Sequence, residues 1–84
     1  MNTHIYKRIV ESVFDVKLDN KTRQLDHVVA RSCYYYLCRN KLKLSLAAIA
    51  KTLNKNHATI LYALREFDNI LYSNPYYKSL FDKA

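Results

Sequence analysis

The chain contains no glycine and no tryptophan, one proline (Pro75) and only two cysteines, Cys33 and Cys38, in 84 residues. Each shortage excludes something. Without glycine no Gly-rich phosphate loop can be built, which rules out nucleotide hydrolysis by that route. The same absence makes tight hairpins needing positive φ scarce and favours helices joined by short connectors. Cysteines five residues apart on one helix point about 140° away from each other, so they bridge poorly, and they lack metal-ligand spacing. They read as small buried hydrophobes in a reducing cytosol, and no metal or cofactor is expected. No apolar run approaches the roughly 20 residues needed to span a bilayer. Neither a signal-peptide order nor a lipidation signature is present, since Asn2 follows Met1 and the chain ends Phe81-Asp82-Lys83-Ala84. The expectation is a cytoplasmic protein with no membrane partner.

Acid is scarce as well. Seven Asp and Glu against fourteen Lys and Arg leave a formal net charge of +7, an excess that calls for a polyanionic partner, nucleic acid being the commonest. With half of the residues hydrophobic and a quarter charged, the composition is globular rather than disordered. The length suits a single domain over residues 1–84, near the lower limit for a chain that buries its own core.

Apolar spacing lays out the helices. Thr3 can cap a first helix to about Phe14, with Ile5, Ile9, Val10, Val13 and Phe14 on one face. The stretch Val16-Lys17-Leu18-Asp19-Asn20 breaks the pattern as a loop, with Asp19 or Asn20 as the next cap. A long helix from about Lys21 to Lys41 follows, its core stripe being Leu25, Val28, Val29, Ser32, Cys33, Tyr36 and Leu37. Ser45 is a good N-cap for a short helix from Leu46 to Thr52 that buries Leu46, Ile49 and Leu53. The turn Asn54-Lys55-Asn56 uses asparagine, which tolerates the left-handed conformation best after glycine. Asn56 caps a long helix to about Tyr72, with Ile60, Leu64, Phe67 and Leu71 inward. Asn74 before Pro75 starts a last short helix to about Asp82. The predicted fold is all-α, a small helical bundle containing a helix-turn-helix.

In that motif the second helix lies in the major groove with its first side chains at the base edges. Those residues are Lys55, Asn56, His57, Ala58 and Thr59. An amide suits adenine's N6 and N7, Lys favours guanine's acceptors, His57 can donate or accept, and the Ala58 and Thr59 methyls can meet thymine's methyl. Arg39, Lys41 and Lys43 precede the short helix, Lys51 lies within it and Lys55 in the turn, where phosphates flank a groove. No acidic residue stands between Arg31 and Arg65. The acids gather instead at Glu11, Asp15, Asp19 and Asp26 and from Glu66 onward, as on surfaces turned away from DNA. Double-stranded DNA is the expected partner.

Three stretches carry a closer resemblance: Ala30-Arg31-Ser32-Cys33-Tyr34-Tyr35-Tyr36-Leu37-Cys38-Arg39, then Ser45-Leu46-Ala47-Ala48-Ile49-Ala50, then Asn56-His57-Ala58-Thr59-Ile60-Leu61-Tyr62-Ala63. Their order and spacing resemble the C-terminal DNA-binding domain of DnaA, the bacterial chromosomal replication initiator, from about Ile5 to Leu71. The resemblance implies major-groove readout by Asn56, His57, Ala58 and Thr59. It also implies a minor-groove loop at Lys21 and Arg23, and contacts to or positioning of the DNA backbone by Arg31, Arg39, Ser45 and Leu46. Where the family carries Asp-His-Thr-Thr this chain has Asn56-His57-Ala58-Thr59, and its turn has lost the family's paired glycines and about one residue. Exchanging a carboxylate, suited to a cytosine amine, for an amide suited to adenine predicts a changed target sequence. The expected function is sequence-specific duplex binding in replication initiation or transcription control.

Two other classes compete. Eight tyrosines raise the idea of a DNA-nicking nucleophile, but no nucleophile, base and orienting group converge, so the chain is not expected to be an enzyme and no catalytic residue is assigned. A protein-interaction module binding a replication or transcription partner is the other, with Tyr72, Tyr76, Tyr77 and Phe81 as its candidate surface.

Overall fold

Among the described residues five helices follow one another: α1 (Thr3–Phe14), α2 (Leu25–Lys41), α3 (Leu46–Thr52), α4 (His57–Ser73) and α5 (Pro75–Lys83). They belong to a computed structural model that describes residues 3–19 and 24–83. Among the described residues there is no strand, and the all-α architecture agrees with the sequence reading.

Helix ends are placed by their caps. Ser45, extended at φ −71° and ψ 159°, accepts a hydrogen bond from the Ala48 N–H and starts α3. Asn56, at φ −92° and ψ 156°, does the same for α4 through Ala58 and Thr59. Asn74 takes the Tyr76 N–H at 3.2 Å and Pro75 occupies the first helical position, where its missing N–H costs nothing. Helix α1 leaves through a residue in the left-handed region, Asp15 at φ 56°. The Glu11 carboxylate reaches forward to accept the Leu18 N–H at 2.8 Å, and Leu18 closes over the core at 1% exposure.

Two details of the expected layout differ. Helix α1 begins at Thr3 itself, so Thr3 is the first helical residue rather than the cap. Helix α2 begins at Leu25, not near Lys21. Gln24 precedes it at φ −57° and ψ 143° with no side-chain capping bond. Asp19 instead forms an ion pair with Lys7 at 2.6 Å, while Asn20 lies outside the described residues.

Helix α2 is the centre of the bundle, packed against α1, α3 and α4. It therefore buries more than one stripe: Val29, Ala30, Ser32, Cys33, Tyr34, Tyr35, Leu37 and Cys38 are all buried. The expected stripe is buried at Val29, Ser32, Cys33 and Leu37 and half-buried at Val28 and Tyr36, Tyr36 packing against the core, whereas Leu25 is exposed at the helix start. Both cysteines are free and buried, and burial pushes the Cys33 thiol up to about 12. The Ser32 hydroxyl, buried among apolar neighbours, donates to the Val28 carbonyl at 3.0 Å.

A ring cluster ties the tail to the core. Phe67 of α4, Phe81 of α5 and Tyr36 of α2 lie 5.2 to 5.4 Å apart between centroids, arrangements worth about 0.5–1.5 kcal/mol per pair beyond burial. The buried Tyr77 hydroxyl donates to the Asp26 carboxylate at the head of α2. Two of the four aromatics proposed as a partner surface, Tyr77 and Phe81, are thus packed inside, and only Tyr72 and Tyr76 stand exposed.

Candidate nucleic-acid interface

The helix-turn-helix is formed by α3, its connector and α4. Helix α3 is anchored by Ile49, which has no exposed surface, and by Ala50 and Leu53. The turn is held by main-chain bonds: Leu53 N–H to Ala50 O at 3.3 Å, Asn54 N–H to Lys51 O at 3.4 Å and Lys55 N–H to Ala50 O at 2.8 Å. Asn54 takes φ 55°, the left-handed conformation expected of an asparagine standing in for glycine. Ile60, with no exposed surface, and Phe67 fix α4 onto the core.

Burying that face of α4 leaves its opening residues outside. Asn56, His57, Ala58 and Thr59 are all exposed, and Lys55 is half-buried in the turn. The Asn56 side-chain oxygen accepts from the Ala58 N–H at 2.8 Å and the Thr59 N–H at 3.3 Å, so the residue both caps the helix and stands at its tip. A cleft of about 370 Å³ between α2 and α4 has Arg31 and Tyr35 on one wall and Thr59, Tyr62 and Glu66 on the other. Arg31 therefore lies beside the first turns of α4. Burial raises the Tyr35 phenol, and the neighbouring Arg31 charge offsets part of that rise.

The connector from α2 to α3 presents the cations. Lys43 adopts φ 58°, a left-handed position that only glycine and asparagine usually take without cost. Two bonds hold it there: the Arg39 guanidinium donates to the Leu44 carbonyl at 2.8 Å, and the Leu44 N–H donates to Cys38 O at 3.3 Å. Arg39 thus acts on the loop as well as carrying charge, a role its sequence position does not announce. Lys41, Lys43 and Lys51 are exposed, and with Lys55 they make no ion pair with a carboxylate among the described residues. Ser45 spends its hydroxyl on the cap, and Leu46 is half-buried against the core. Lys21 and Arg23 lie outside the described residues.

The rest of the surface offers little chemistry. Among the described residues no group of His, Cys, Asp and Glu is placed to hold a metal ion, and no helix is long and apolar enough to cross a membrane. An open pocket of about 520 Å³ beside α1 holds Glu11, Asp15, Lys17 and His27, whose buried Nδ1 has no hydrogen-bond partner. Its lining mixes these acids with Arg8 and Lys17 and includes no residue of α3 or α4.

Comparison with known proteins matches this geometry. Residues 7–66 fit the family described as the bacterial dnaA protein helix-turn-helix. Over 65 residues, or 74% of the chain, the sequence is 37% identical to chromosomal replication initiator protein DnaA 2 of Chlamydia pneumoniae. The match takes in 14% of that protein's length. No solved structure gives a significant match. With matching sequence from α1 through most of α4 and a helix-turn-helix at the expected place, the chain belongs to the bacterial DnaA helix-turn-helix family, a family of DNA-binding domains.

Proposed function

We propose that this chain binds double-stranded DNA sequence-specifically, with α4 in the major groove, and serves replication initiation or transcription control. The observation that carries the reading is the head of α4. Four exposed residues, Asn56 to Thr59, stand at the tip of a helix anchored in the core by Ile60 and Phe67. They lie within a stretch from Arg31 to Arg65 that holds no acidic residue and whose Lys41, Lys43, Lys51 and Lys55 form no ion pair among the described residues. In this reading Lys55, Asn56, His57, Ala58 and Thr59 meet base edges, which specify, while cations at the flanks meet phosphates, which position. Lys41, Lys43 and Lys51 supply charge to the flanking strand, and Arg31 supplies it from α2. Arg39, Ser45 and Leu46 set the connector and the start of α3 against the backbone. Lys21 and Arg23 extend the contact into the neighbouring minor groove, where a narrow A·T-rich tract attracts Arg. The relative's name, a chromosomal replication initiator protein, supports the role in replication.

His57→Ala tests the reading. Because His57 is exposed at the first position of α4, the substitution should flatten the preference among sequences while nonspecific duplex affinity persists. Binding titrations against a selected site and a scrambled duplex measure both. Equal loss on the two would remove His57 from base readout.

A second reading rests on Tyr72, 93% exposed, and Tyr76, 62% exposed, at the corner between α4 and α5. Exposed tyrosines of this kind suit a protein contact. The corner is at the opposite end of α4 from Asn56, so a partner could dock there with DNA still bound.

A further inference from the structure

We infer that the Asn56 cap turns this residue into a pure hydrogen-bond donor toward DNA, selecting guanine at the base it faces and disfavouring cytosine. The inference rests on the DNA-reading proposal above and adds the identity of one base.

The argument starts from the two ends of the carboxamide. Asn offers an acceptor oxygen with two lone pairs and a nitrogen with two N–H donors. Its partners in the cap are both main-chain N–H groups, of Ala58 at 2.8 Å and Thr59 at 3.3 Å. A donor can be met only by an acceptor, so the oxygen must face the helix, and the chemistry of the cap settles the amide's orientation. Both lone pairs are then engaged. The Nδ2 group sits on the other branch of the planar amide, away from the first turn, and makes no hydrogen bond among the described residues. Asn56 itself is exposed.

A free Asn reads adenine by using both ends at once, accepting from N6 and donating to N7. That arrangement needs the oxygen, which the cap holds. With only an NH₂ group to present, the four bases separate differently. Guanine shows two adjacent acceptors, N7 and O6, and one NH₂ group can bridge them. Thymine offers the single acceptor O4. Adenine offers N7 but sets its own N6 amine beside it. Cytosine shows only an N4 amine, so donor would face donor. Aspartate at the same position would cap equally well and would present its second oxygen, an acceptor, favouring cytosine. The exchange of Asp for Asn thus inverts the sign of the readout while keeping the helix start intact, because both residues are strong N-caps.

The test is a selection from randomised duplexes with the intact chain, repeated with Asn56→Asp and Asn56→Ser. All three residues cap, and helix content by circular dichroism checks that each variant folds. The native chain should enrich guanine over cytosine by about tenfold at one position, the scale of a good base contact. Asn56→Asp should move that same position to cytosine and leave the others unchanged. Asn56→Ser keeps the cap through its hydroxyl oxygen but draws the donor one bond back toward the main chain, and should erase the preference there alone. Enrichment of adenine at that position by the native chain would overturn the inference, as would identical sites for native and Asn56→Asp proteins. If the native chain bound no duplex at any salt concentration, the DNA reading itself would fall and take this inference with it.

Discussion

Replacing Lys43 by glutamine should lower the salt sensitivity of DNA binding by one phosphate's worth without changing the fold. Lys43 is exposed, pairs with no carboxylate among the described residues and takes a left-handed backbone conformation in the connector. Glutamine has the same Cβ and a similar stem, so whatever strain φ 58° imposes is common to both proteins. Only the charge changes. If Arg31, Lys41, Lys43 and Lys51 each neutralise one phosphate, log affinity should fall with log salt at a slope of about −3.6, from about −0.9 per contact. Raising monovalent salt from about 50 to about 200 mM would then weaken binding about 150-fold. For Lys43→Gln the slope should be about −2.7 and the loss about 40-fold over the same interval. Fluorescence anisotropy of a labelled duplex at five or six salt concentrations reads both slopes. Thermal unfolding should place the variant within about 0.5 kcal/mol of the parent, as for a neutral surface change. A variant that binds more weakly with an unchanged slope would refute the assignment of Lys43 to a phosphate, and a flat slope in the parent would refute the electrostatic picture altogether.

Two further outcomes concern the scaffold. Ser45→Ala removes the side-chain acceptor for the Ala48 N–H and should cost about 1 kcal/mol, read by chemical denaturation; no loss would mean α3 is held by packing alone. Alkaline conditions should weaken the fold through Tyr77, whose hydrogen bond to the Asp26 carboxylate, with burial, pushes its phenol up to about 12 from the usual 10. The unfolded chain loses that proton first, so stability is level below about pH 10 and falls as pH climbs toward 12. Burial holds Tyr34 in the same direction, and Tyr77→Phe should therefore flatten part of the alkaline drop in melting temperature and leave the rest. An unaltered pH profile would dissociate Tyr77 from the effect.

The parts of this structure legible in the sequence are those where a side chain does a local job. Ser45, Asn56 and the Asn74-Pro75 pair each satisfy or replace an orphan N–H within a few residues, so α3, α4 and α5 begin where expected. Helix α2 begins four residues later than expected because Gln24, the residue before it, makes no side-chain cap and leaves no signature. Its core could not be drawn from one stripe, since a central helix is buried on several sides and periodicity reports only a difference between faces. Tyr34 and Tyr35 are inside for that reason. The C-terminal aromatics separate by helical spacing, Tyr77 and Phe81 one turn apart on the inner face, with Tyr76 outside. At the interface the cations and the α4 head were visible as residues. The Arg39 bond to Leu44 and the orientation of the Asn56 amide were not, because both depend on where main-chain groups lie in space.

The turn between α3 and α4 is made without glycine, and that bears on the thermodynamics of recognition. A side-chain-bearing residue such as Asn54 has fewer backbone wells to wander among than glycine, in the unfolded chain and in any loosened native state. The freedom lost at this corner is surrendered when the domain folds, and little is left to surrender when it meets DNA. The helix pair should dock as a preset unit. Its association should then show a small ordering entropy and a modest heat-capacity change, the thermodynamic mark of a rigid reader rather than of a segment that folds onto its target.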